Sequence, residues 1–182
     1  MKQVFFNVML LISMFLLISC SSSDKQNMVF SINEEGKYSG FDSIKDIEST
    51  DEAVKNGYYV IDNGKFIGDE HWKNFIEASS NNENAGLRIV EMVESTGNNY
   101  VDLFFHDGLY YSFDREINDI DVNGYKYLLT LESDTSLDGK KSFFTILSND
   151  NAITFSECRK DAFSSEKIVD KEKYKVLFFG EK

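Results

Sequence analysis

The sequence predicts an α+β domain, a mainly antiparallel β-sheet with two or three helices packed on one face. Three observations carry this. Short runs rich in Val, Ile, Tyr and Phe recur between breaks that contain Asn, Asp and Gly, as strands joined by tight turns do. Two Ser/Thr-x-x-Glu patterns, Ser49 with Glu52 and Thr154 with Glu157, mark helix starts. A third stretch places Trp72, Phe75 and Ile76 at i, i+3 and i+4, one apolar stripe on a helix. No internal repeat is visible.

The elements follow in order. Ser49 caps a short helix that stops at Gly57, with Asp51 and Glu52 in the first turn, where the helix dipole favours acids. Tyr58-Tyr59-Val60-Ile61 is a strand and Asp62-Asn63-Gly64 a turn. Asp69 caps a second helix through about Ser79, Asn81–Asn84 is a loop, and Leu87–Val93 is a strand. Val101–Asp114 is a hairpin. A two-residue Asp107-Gly108 turn would oppose Leu103 to Ser112 and Val101 to Asp114, mixing polar and apolar groups on one face. A three-residue loop, His106-Asp107-Gly108, opposes Phe105 to Leu109, Leu103 to Tyr111 and Val101 to Phe113, and gathers the apolar groups. Register follows the buried face, so the three-residue loop is expected. Asn123-Gly124 joins Ile120–Val122 to Tyr125–Leu131 as a second hairpin. Ser142–Leu147 is a strand, Thr154 opens a helix to about Phe163, and Tyr174–Phe179 is the last strand.

Residues 1–19 read differently. Lys2 and the amino terminus are positive, and an apolar run from Val4 to Ile18 is interrupted only by Asn7 and Ser13. That is short for a membrane span, which needs about 20 residues, and suits a signal-peptide core. Leu17-Ile18-Ser19-Cys20 resembles the lipobox of bacterial lipoproteins. The resemblance implies cleavage before Cys20 and a thioether-linked diacylglyceryl group on it. Two or three acyl chains, at roughly 0.8 kcal/mol per buried CH₂, anchor stably where one does not. The expected organisation is a lipoprotein signal peptide over 1–19, a lipid-anchored tether over 20–46 and a single α+β domain over 47–182. Its address is the outer, extracytoplasmic face of the cell membrane.

Only Lys2 among the charged residues lies in the leader, so the remainder carries 31 acids against 18 bases. This argues against nucleic acid as a partner and against lying flat on anionic lipid, since both want basic patches. With Cys20 lipidated, Cys158 is the one remaining thiol, so no internal disulfide forms and packing must hold the fold. Absence of proline excludes a proline-rich stalk. A monomer is expected.

A wider likeness rests on two blocks. One is the strand, DNGKF turn and HWKNFIEA helix followed by LRIVEMVE and DLFFHDGLYYSFDRE. The other is YKYLLTLE followed by FTILSNDNAITFSE. Their order, over roughly residues 50–180, resembles a domain of unknown function found in small lipoproteins of low-GC Gram-positive bacteria. The resemblance implies a secreted, lipid-anchored protein and brings no catalytic residue with it.

Candidate chemistry is sparse. Asp119, Asp121 and Asn123 followed by Gly124 match the first half of an EF-hand-type loop and would suit Ca²⁺. The second half departs, with Thr130 where a bidentate Glu belongs. Asp69, Glu70 and His71 hold ligand-type atoms but read as a capped first turn, and His106 reads as an exposed turn residue. Arg159 and Lys160 could lower the Cys158 thiol pKa, yet Phe155, Cys158, Ala162 and Phe163 share a stripe that buries it. No phosphate loop, Gly-x-Ser-x-Gly elbow or His-Glu-x-x-His pair is present, and no cofactor is expected. Phe104 and Tyr110, on the hairpin's second face beside Asp102, Ser112 and Asp114, would form a recognition surface for a peptide or glycan. The expected function is a non-enzymatic, surface-anchored binding or accessory lipoprotein. The alternatives are an immunity or inhibitor lipoprotein with an acidic occluding face, and a carboxylate-dependent extracytoplasmic hydrolase.

Overall fold

A computed structural model describes residues 28–32, 37–42, 44, 46–93, 97–116, 124–134, 139–163 and 174–182. Its elements are α1 (Thr50–Lys55), β1 (Tyr59–Asp62), β2 (Lys65–Ile67), α2 (Asp69–Ser80), β3 (Ala85–Met92), β4 (Asn99–His106), β5 (Leu109–Asp114), β6 (Tyr127–Glu132), β7 (Ser142–Ser148), α3 (Phe155–Phe163) and β8 (Tyr174–Glu181). The α+β class stands, with two sheets where one was expected. The larger has the order β2-β1-β3-β4-β5 and the smaller β6-β7-β8. All pairings are antiparallel except β1 with β3.

Both caps form as the sequence implies. The Glu52 amide donates to Ser49 Oγ and the Glu157 amide to Thr154 Oγ1, while each glutamate accepts from a backbone amide ahead of its helix. At α2 the expectation is corrected. Its N-cap is Gly68, with φ 90°, and Asp69 is the first helical residue. A Cβ at Gly68 would meet the Tyr58 carbonyl, so the close turn out of β2 also favours glycine.

The principal core lies between the sheets. Ile89, Leu103 and Phe105 of the large sheet meet Phe143, Leu147 and Phe178 of the small one, with Phe75 of α2 among them. The other face of the large sheet is covered too. Ala53 of α1 and Ile47 pack on Val60, Val90 and Tyr100. Tyr38 packs on Phe104 and Phe113, flanked by Met28, Phe30 and Ile32. The helices are thus spread over several faces, because α3 buries Cys158 against Phe144 and Ile146 on the outer side of the small sheet.

Two boundaries change with this. The expected tether, 20–46, is in its later part a strap on the domain: Tyr38 is buried and Ile32 bridges it. The hairpin register is the one rejected above. Leu103 faces Ser112, Val101 faces Asp114, and His106 faces Leu109 across a two-residue turn. Asp107 and Gly108 have φ 49° and 82°, the positive pair that an Asp-Gly type I′ turn requires. The one-face argument fails because both faces are buried, so the turn chemistry decides the register.

Candidate functional site

The polar groups buried under the strap are structural. Arg88 Nε donates to Asp102 Oδ1 at 2.6 Å and Arg88 Nη2 to Asp102 Oδ2 at 2.7 Å. The Tyr38 hydroxyl donates to Asp102 Oδ2 at 2.6 Å, and Arg88 Nη2 also reaches the Gly40 carbonyl at 3.1 Å. The Arg88 guanidinium lies over the rings of Tyr58 and Phe41. Burial, then the adjacent Asp102 charge, hold the Tyr38 hydroxyl well above the ordinary phenol range. Every charge here is matched, which leaves nothing to offer a ligand.

The open site is a groove at the small sheet's free edge. The Lys175 ammonium donates to the Ser112 carbonyl on β5 at 3.3 Å. At the other end the Phe66 ring of β2 lies so close over Gly180 that a Cβ there would collide with it. Because β5 and β2 are the two outer strands of the large sheet, β8 crosses that sheet from edge to edge. Beside β8 runs a cavity of about 1580 Å³, lined by every residue from Val176 to Lys182. Its inner wall is a row across the large sheet, set by register: Phe66 beside Ile61, Ile61 beside Glu91, Glu91 beside Asn99. Val101, two residues on from Asn99 along β4, is paired with Asp114 on β5, and both line the cavity as well. Thr130 and Thr145 line it from the small sheet, their hydroxyls 3.4 Å apart. Asn99 Nδ2 donates to Glu91 Oε2 at 3.3 Å, and Asn99 Oδ1 is buried with no partner among the described residues.

At one end an aromatic group closes the cavity, with Trp72 against Tyr59 at 5.2 Å and against Phe178 at 5.5 Å. Burial, with the Asp69 charge adding to it, pushes the Tyr59 phenol up to about 12, so it stays neutral. The outer wall is α3, through Phe155, Arg159 and Phe163. Among the described lining residues five are Lys or Arg and four are Asp or Glu, so the groove is far less acidic than the chain, whose net charge is −12.

The expected site residues fall elsewhere. Phe104 is 2 % exposed and packs on Tyr38, while Tyr110 is half-buried and faces Phe105 on the opposite side of the hairpin. The two do not share a surface, because the two-residue turn shifts β5 by one position. Asp119, Asp121 and Asn123, the Ca²⁺ candidates, lie outside the described residues, as does Cys20. Among the described residues no three His, Cys, Asp or Glu side chains converge as a metal site. His71 Nε2 donates to the Val54 carbonyl at 2.9 Å, tying α2 to α1. The His106 ring stacks on Phe30, 4.5 Å between centroids. Cys158 is buried as expected, and that burial raises its thiol pKa, while Arg159 and Lys160 beside it are exposed.

The groove was not foreseen, since it joins segments more than a hundred residues apart. Comparison of the chain with protein-family models, with curated proteins and with solved structures returns no match. The lipoprotein-domain resemblance therefore rests on its residue blocks alone.

Proposed function

We propose that this chain is a bacterial lipoprotein, anchored through Cys20, whose domain acts outside the cytoplasm as a non-enzymatic binding or accessory module. The observation that carries the binding half is the groove beside β8. It is open, large, and lined by aromatic rings beside polar and charged side chains. The anchor half is supported by the leader and the Leu17-Ile18-Ser19-Cys20 stretch. Seven residues lie between Cys20 and Met28, eight steps with a reach of at most about 29 Å when fully extended. The domain would therefore work close to the membrane.

Two measurements test the two halves. Intact mass and membrane partition of the native protein, beside Cys20→Ala, should show loss of residues 1–19 with an added diacylglyceryl mass, both absent in the variant. Release into the medium without lipid overturns the address. Cross-linking on intact cells should give a discrete adduct of the domain, and repeated failure to form one overturns the binding role.

A further inference from the structure

The four edge strands of the two sheets are not alike. β2 has three residues, and β5 is tied at Tyr110 to Tyr125 by two backbone hydrogen bonds of 2.8 and 2.7 Å. β6 has six residues and no large exposed apolar side chain. Natural sheets blunt their edges in such ways, because an unpaired row of N–H and C=O groups is a template for another chain. β8 has eight residues, and among the described residues no strand pairs with its outer side. Beside it Phe163, Val176 and Phe179 are three of the four large hydrophobic side chains exposed among the described residues. Phe179 is 65 % exposed and Phe163 72 %.

From these observations we infer that the groove takes an extended peptide segment of a partner protein, added as a strand along β8, with apolar and basic side chains in alternation. This deepens the binding reading above and does not depend on the anchor. The edge supplies main-chain hydrogen bonds, and the alternation follows from the two walls. Val176 and Phe179 pair with Ile146 and Phe144, which face α3, so every second ligand side chain meets an apolar wall. The intervening side chains point toward the large sheet, where the exposed carboxylate of Glu91 lines the groove and suits Lys, Arg or hydroxyl donors.

The test uses the full chain in detergent micelles and a fluorescein-labelled heptapeptide alternating Val and Lys. A peptide of equal charge with its central Val replaced by Pro cannot continue the ladder and serves as control. Binding should saturate, exceed the proline control at least tenfold, and slow hydrogen exchange of β8 amides. Phe179→Asp adds attraction for a basic peptide, yet should weaken binding at least tenfold. Glu91→Gln should weaken it severalfold, with circular dichroism unchanged in both variants. Equal binding of the proline control, protection away from β8, or no loss in Phe179→Asp overturns the inference. So does a dimer in sedimentation that Phe179→Asp dissociates, since a second copy then holds the edge. If the peptide fails while the cell-surface adduct persists in Phe179→Asp, this inference falls and the binding role stands on another surface.

Discussion

Arg88 and Asp102 stand opposite each other on β3 and β4, 2.6 Å apart, with side chains 3 % and 0 % exposed. Such a pair adds little by existing, because desolvation offsets much of the attraction. Its weight appears when one partner is lost. Asp102→Leu or Arg88→Met leaves a buried charge without its counterpart and should cost about 3–5 kcal/mol. The double replacement by apolar residues should cost much less than the two single costs added together. Urea unfolding of the four chains checks this, and additive single costs would refute it.

The strap predicts a sharp dependence on the N-terminal boundary. A chain beginning at residue 28 keeps Tyr38 on Phe104 and Phe113. A chain beginning at residue 47 strips that cover and orphans the Tyr38 and Gly40 contacts of the Arg88–Asp102 pair. Uncovering two buried rings alone costs several kcal/mol, a large share of an ordinary domain's stability. The longer chain should melt cooperatively. The shorter should bind a hydrophobic dye and lose its near-ultraviolet dichroism.

Alkaline pH should destabilise the domain through its phenols. Tyr59 is neutral in folded and unfolded chains alike below pH 10, its ordinary value. Between 10 and about 12 the unfolded chain ionises it while the fold keeps it protonated, so stability falls across that window. Tyr38 and Tyr174 are raised as well, by burial and then by Asp102 and Asp161 respectively, and extend the loss upward. Denaturant midpoints followed through this range should decline, and Tyr59→Phe should flatten the decline. A midpoint independent of pH up to 12 contradicts the assignment.

Local rules made much of the fold legible. Capping boxes placed α1 and α3 because a Ser or Thr oxygen and a Glu three residues on satisfy each other's helix ends without help from elsewhere. The Asp107-Gly108 register was misjudged by assuming one buried face. Asp102 looked polar and therefore exposed, whereas Arg88, 14 residues away, neutralises it in the interior. That pair had a signal: single opposite charges inside LRIV and DLFF, two otherwise apolar strands that could pair. Nothing comparable announced the groove. It arises from the way β8 crosses the large sheet, a relation between sheets that no strand's own pattern encodes.

Chain order sets an order of events on the strap. Tyr38 is synthesised first, and Asp102, its hydrogen-bond partner, follows 64 residues later. Contacts so distant form slowly, since the loop between them must close first. The strap therefore stays undocked while β1 to β4 are still being delivered, and its docking becomes the late step that seals Arg88 and Asp102 inside the fold.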